Sequence, residues 1–301
     1  MASRQTLSDD LIVTIAQPNR WQRALTGTRR ALIKNPNMLL GLVLLIVMSA
    51  MAIFSGQITD VDPRHIDTIE RLKPPSSQYL FGTDHLGRDI FARVVYGSRL
   101  SLIVGIAVAI ITMVGGVVLG LISGYYRTLD AIIMRLMDGL MAIPSFLLAI
   151  ALVAMLGASL QNVIIALSVV ETPRVVRVVR SSVLTLRERV YVEAAEAIGA
   201  VGIRIMARHI FPNTVPPLIV QGTYIFALAI LVEAGLSFLG AGTPPDIPSW
   251  GNIMGEARLY VRVAEWIMFF PGLFLSLTVL AINLIGDGLR DTLDPTLARR
   301  M

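Results

Sequence analysis

The chain has 301 residues, 54% hydrophobic and only 16% charged, with a mean hydropathy of +0.69. Soluble domains carry about a quarter charged residues, so this composition excludes an ordinary soluble domain and points to an integral membrane protein. With no cysteine there is no disulfide framework, thiolate chemistry or cysteine metal site. The net charge of +5 does not mark a nucleic-acid surface, because the basic residues gather beside apolar runs. There they act as topology and lipid-headgroup anchors.

Residues 1–37 are polar and carry Arg4, Arg20, Arg23, Arg29, Arg30 and Lys34 against Asp9 and Asp10. The first apolar run begins at Met38, too late for a secretory signal, and is expected to be a retained span with a cytoplasmic basic flank. Trp21 to Lys34 suits an amphipathic segment on the membrane surface. Met38 to Phe54 is the expected first span. Residues 55–99 hold six Lys/Arg and six Asp/Glu, broken by Pro63, Pro74 and Pro75. Within them Asp84 or Asp89 suits a helix cap, and Ile90, Phe91, Val94 and Val95 recur at helical spacing, as in an interfacial helix.

No charge separates Arg99 from Arg127, so Leu100 to Ile122 is expected to be the second span. Its Gly105, Gly115, Gly116 and Gly120 suit close helix approach in lipid. Gly139 to Val170 is also free of charge. At 1.5 Å per residue it is about 48 Å long, beyond a core of ~30 Å. Gly157, Ser159, Gln161 and Asn162 mark a turn, which divides the run into a third span kinked at Pro144 and a fourth from residue 162. Glu171, Pro173, Arg174, Arg177 and Arg180 crowd the end of that fourth span.

The division has a consequence for topology. It puts the basic stretch Arg187 to Asn213 on the cytoplasmic side, in agreement with the positive-inside rule. Thr214 to Leu239 is the fifth span, with Glu233 as its one acid, expected near the outer end within reach of water. Residues 241–266 form an outer loop. Trp266 to Ile285 is the sixth span, followed by Asp287, Arg290, Asp291, Asp294, Arg299 and Arg300. The expected fold is therefore all-α and polytopic, with six transmembrane helices and both termini cytoplasmic.

Arg187 to Asn213 is too long and too amphipathic for a simple connector. Val192 to Gly199 reads as a short helix stopped by Gly199. A second, from about Ile203 to Phe211, is expected to end before Pro212. Val192, Ala195 and Ile198 are too apolar to stand bare in water, which implies a protein partner.

Glu193, Ala194, Ala195, Gly199 and Pro212 resemble the EAA loop of bacterial ATP-binding cassette importer permeases. Phe211 stands where leucine is usual, and His209 where isoleucine is common. FGTDHLGRD (81–89), RVVYGSRLSL (93–102), MRLMDGLMAIPSFLLAI (134–150), EAGLSFLGAG (233–242), PSWGNIM (248–254) and NLIGDGLRDTLDP (283–295) extend the resemblance. They are similar to the second, C-type permease subunit of dipeptide/oligopeptide importers.

The resemblance implies a type-1 permease fold of the type I importer class, with a 1–37 cytoplasmic tail, a first transmembrane helix at 38–57 and an outer loop at 58–99. A permease domain at 98–290, containing the EAA loop at 187–213, and a cytoplasmic tail at 291–301 would complete it. Val192, Glu193, Ala194, Ala195, Ile198, Gly199, Arg204 and Pro212 would dock an ATPase. Glu233, Asp138 and Pro144 are candidates for the pathway or a gate. The implied partners are a homologous permease forming a heterodimer, one or two ATPase subunits holding ATP and magnesium, an extracytoplasmic peptide-binding protein, and membrane lipid. No nucleic acid, bound metal or cofactor of its own is expected.

The bare sequence agrees on the energy source. A phosphate-binding loop needs Gly-Lys-Ser/Thr, and the two lysines, Lys34 and Lys73, follow Ile33 and Leu72. The chain is expected to be a transport subunit in the inner membrane and not an enzyme. Nickel, glutathione or opine import by the same family is an alternative, and an ion-driven secondary transporter a remoter one. An intramembrane enzyme finds no support in the sequence, where His65, His85 and His209 are scattered.

Overall fold

The computed structural model describes residues 35–293; the basic stretch through Lys34 and the tail from Asp294, with Arg299 and Arg300, lie outside them. Among the described residues every named element is a helix. They are α1 (Pro36–Ile53), α2 (Ile90–Tyr125), α3 (Arg127–Met141), α4 (Ser145–Leu156), α5 (Leu160–Arg187) and α6 (Val190–Ala197). Then come α7 (Gly202–Phe238), α8 (Trp250–Ala257) and α9 (Trp266–Leu293).

Four helices, α1, α2, α7 and α9, are long and apolar enough to cross a membrane. The pair α3 and α4 makes a fifth candidate, bent by 91°. Pro144 stands at that bend, so the expected kink is a right-angled break. Helix α5 has 28 residues, but Glu171, Arg174, Arg177 and Arg180 interrupt its apolar run. Of six expected spans, four or five are thus apparent from length and composition. The turn before α5 is as expected: Gly157 has φ +91° and Ser159 Oγ accepts from Asn162 N–H.

Two sequence expectations are corrected. The stretch from Ile90 to Arg99 is not a separate interfacial helix but the first turns of α2. Asp89 caps that helix by accepting the N–H of Phe91 at 3.0 Å. With 36 residues, α2 is about 54 Å long and overruns a ~30 Å core. The second short helix does not end before Pro212 either; it runs on as α7. Pro212 lacks an N–H, and its ring would clash with the carbonyl of residue 208 in a regular helix. A π-type turn over Met206–Ile210 widens the helix there and lets it continue.

Helices α2 and α5 meet along a stripe of small residues. A Cβ added at Gly116, Gly120 or Gly124 would lie 2.4, 2.5 or 2.6 Å from the Cβ of Val175, Val179 or Val183. Both rows repeat every four residues, so two i±4 rows mesh as ridge and groove. Gly105 makes a similar approach to Phe226 of α7, whereas Gly115 faces open space. Helix α1 packs on α9, where a Cβ at Gly288 would meet Met38 at 2.5 Å.

At the N-terminal end of α2 the chain is tied by buried charge. Asp84 accepts from Arg88 Nε and Arg93 Nη1, both at 2.6 Å, and Glu256 accepts from Arg93 at 2.7 Å and from Arg88. Asp84 and Arg93 are almost wholly buried. Trp250 donates to the carbonyl of Val94 at 3.1 Å, and Trp266 to that of Thr83 at 3.2 Å. This clamp joins the segment before α2 to α8 and α9. It also brings side-chain ligand atoms of Asp84, His85 and Glu256 within 4.8 Å of one another, a cluster that the scattered histidines of the sequence did not suggest. Both carboxylates are already satisfied by Arg88 and Arg93.

Candidate functional site

The candidate site lies at the other end of α2, where α5 gives way to α6. Eight residues are too few for a helix to be stable alone, so α6 depends on what it packs against. Val192 is fully buried and Ala195 nearly so, and both join Ile205, Ile210 and the apolar core of α2 and α5. Glu193, Ala194 and Ile198 face outward, Ile198 with 85% of its surface exposed. Glu193 lies in the first turn, where an acid complements the helix dipole.

The end of α6 follows from Gly199. Its φ is +82° and nothing approaches a Cβ position there, so conformation alone selects glycine. Gly199 N–H donates to the Glu196 carbonyl at 2.9 Å, and Ala200 N–H to the Ala195 carbonyl at 3.0 Å. This pair is the Schellman arrangement, which satisfies helix-end carbonyls while reversing the chain. Gly202 then passes so close to Tyr125 that a Cβ would lie 2.8 Å from its ring. The Tyr125 hydroxyl donates to Glu196 at 3.2 Å. The elbow is thereby fixed to the foot of α2.

The inside of the elbow is a cavity of about 580 Å³ lined by Ala194, Ile198, Gly199, Arg204, Arg208 and His209, among others. It is apolar at one side and basic at the other. Val192, Ala195 and Ile198 were expected to need a partner to cover them; Val192 and Ala195 are covered by the chain's own core, and of the three only Ile198 is exposed. Val190, Val201 and Ile203 join it at 79%, 63% and 71% exposure. Sequence reasoning missed those three, although their position on either side of Gly199 was visible. Arg204 is exposed in the first turn of α7, and Pro212 lies just beyond the π-type turn of the same helix.

The three other singled-out residues lie apart from the elbow. Asp138 of α3 pairs with Arg177 of α5 at 2.7 Å on the surface. Next to it Arg180 holds Asp130 through two hydrogen bonds, at 2.5 and 2.7 Å. Pro144 stands at the α3–α4 break. Glu233 does not reach water; it is completely buried. Its Oε1 accepts from Ser237 Oγ at 2.8 Å, in a polar cluster with Thr243 and Asn252.

The model of a binding-protein-dependent transport system inner membrane component matches residues 116–299. The chain belongs to this family. That of the N-terminal transmembrane domain of oligopeptide transport permease C matches residues 19–75. A dipeptide transport system permease protein of Alkalihalophilus pseudofirmus is 46% identical over 87% of this chain and 86% of its own. A di/tripeptide transport system permease protein of Pseudomonas aeruginosa is 43% identical, covering 87% and 89%. A glutathione transport system permease protein of Pectobacterium atrosepticum is 41% identical, covering 89% and 90%. The chain is therefore a multi-pass inner-membrane transport permease and not an enzyme. Its family works with ATPase and binding-protein partners.

Proposed function

We propose that this chain is one of two homologous permease subunits in an ATP-driven importer of dipeptides or oligopeptides. The supporting observation is the build of α6. One side of it is continuous with the core of the spans, and the other presents Glu193 and Ile198 to solvent. A push on α6 is transmitted to α2 and α5 because the elbow is packed against them rather than hung from a loop. An ATPase subunit that holds ATP and magnesium would seat on Ala194, Glu193, Ile198 and the rim at Arg204, while Val192 and Ala195 carry the load inward. Pro212 would set the exit of the elbow into α7.

Six spans are completed when α3–α4 counts as one and α5 as another, its charged half shielded by α3 and the partner permease. Eighteen of the 26 Lys/Arg then lie on the α6 side together with both termini, which makes that side cytoplasmic. A binding protein delivers peptide at the opposite face. Pro144 acts as the bend in the wall of the path, Asp138 sits at its inner mouth through Arg177, and Glu233 acts from behind the wall. The relatives named for dipeptides and di/tripeptides support the choice of solute. Glutathione, itself a tripeptide, is consistent with the same path.

The assembled permeases, ATPases and binding protein in proteoliposomes test this. Peptide uptake should stop on ATP depletion and persist with a proton uncoupler; the reverse would make the carrier ion-driven. Uptake of nickel with no peptide uptake would replace the solute. Glu193→Lys should abolish uptake while membrane insertion stays normal.

A further inference from the structure

Glu171, like Glu233, is a buried acid with an oxygen that has no hydrogen-bond partner. It is the twelfth residue of α5, so about 16 Å from the helix start, and it is 4% exposed. A carboxylate at that depth is costly and marks function by default. Its Oε2 accepts no hydrogen bond. The nearest cation is Arg174, whose Nε stands 3.4 Å away, an ionic contact without hydrogen-bond geometry.

Arg174 is held elsewhere. Its guanidinium lies 5.0 Å from the ring centre of Tyr224, and Nη1 donates to the Tyr224 hydroxyl at 3.1 Å. The arginine thus neutralises the local charge without consuming the acceptor sites of Glu171.

Beside the pair, at the α3–α4 break, is a cavity of about 180 Å³ lined by Leu140, Ile143, Pro144 and Val170 with Glu171 and Arg174. At ~30 Å³ per water that is space for roughly six waters, or for one small charged group and its neighbouring carbons. It is too small for a whole peptide. A buried carboxylate whose Oε2 accepts no hydrogen bond, beside a cavity of this size, is complementary to an ammonium group.

We propose that Glu171 is a subsite of the translocation path that takes an ammonium group of the passing solute, with Arg174 parked on Tyr224. This rests on the peptide-importer reading above. The ammonium would come from the peptide α-amine or from a lysine side chain, since both present the same chemistry. Its contact replaces hydration lost on entering the membrane, and the imperfect contact with Arg174 keeps the acid available between passages.

The test uses the whole transporter in proteoliposomes, with Ala-Ala and Ala-Lys as solutes and a saturating binding protein. Glu171→Gln should lower uptake by roughly tenfold to a hundredfold, the scale of one lost charge-assisted hydrogen bond. ATP hydrolysis stimulated by the loaded binding protein should stay within about twofold, and Glu171→Asp should restore part of the uptake. An equal loss for both solutes assigns the α-amine; a loss confined to Ala-Lys assigns the side chain. Wild-type uptake in Glu171→Gln overturns the subsite. So does a parallel loss of uptake and ATP hydrolysis that Glu171→Asp does not relieve, since that makes Glu171 a packing residue. If the wild-type transporter moves neither solute, the peptide reading itself fails.

Discussion

The Tyr125 hydroxyl, at the last residue of α2, donates to the Glu196 carboxylate on α6 at 3.2 Å. This bond links the end of a membrane helix to the helix proposed to meet the ATPase. Tyr125→Phe should leave insertion and assembly unchanged and lower the peptide transported per ATP hydrolysed by a few-fold, in line with about 1 kcal/mol for one hydrogen bond. Paired uptake and phosphate-release assays would measure it.

Gly199 gives a graded prediction, because φ +82° is the only constraint on it. Asparagine tolerates that conformation, alanine tolerates it poorly and valine least. Uptake should fall in the order Gly199→Asn, Gly199→Ala, Gly199→Val, each with normal membrane insertion. Equal uptake by all three would show that the reversal after α6 does not matter.

The α2–α5 stripe predicts a stability effect. Gly120→Leu drives a side chain into Val179, and overpacking of this kind costs about 1–3 kcal/mol. Gly115→Leu, five residues earlier, meets nothing within 4 Å and should be nearly neutral. Melting of the detergent-purified complex separates the two.

The clamp at the other end of α2 predicts a pH window. Burial pushes the Asp84 carboxyl up, but Arg93, Arg88 and the backbone N–H groups of Arg88 and Leu86 outweigh it and hold it below the usual carboxylate range. A depressed folded value means that the stabilisation is fully present above the unfolded pKa of ~4 and is lost as pH falls through the folded value. Melting temperature should therefore be insensitive to Asp84 between pH 5 and 7, taken as roughly one unit or more above that value. Asp84→Asn leaves Arg88 and Arg93 with Glu256 alone and should cost about 3 kcal/mol across that range.

Much of the elbow was legible because its determinants are local. The sequence from Glu193 to Gly199 contains both the helix and the residue that stops it. Pro212 misled because a helix boundary is the usual result before proline, whereas a π-type turn in Met206–Ile210 absorbs it here. Glu233 was expected near water because its depth was read along one helix. The segment containing Thr243 and Asn252 folds back over it, which no local pattern reveals. The clamp joins Asp84 to Glu256 across 172 positions, and charge counting places both acids in loops without pairing them. The glycines of α2 announced a close neighbour; that the neighbour is Val175, Val179 and Val183 came only from the packing.

The central claim, that α6 is the surface through which an ATPase drives the permease, is open to a direct measurement. The chain has no cysteine, so Ile198→Cys, Glu193→Cys and, as a control on the exposed side of α2, Val114→Cys each carry one thiol. Separate samples of each are treated with a membrane-permeant maleimide or with a short thiol-reactive bifunctional cross-linker, with and without the ATPase subunits. The thiols at positions 198 and 193 should be protected by the ATPase and cross-link to it, while that at 114 does neither. Unchanged labelling at 198 and 193 with no cross-link, in a complex that still imports peptide, would contradict the account.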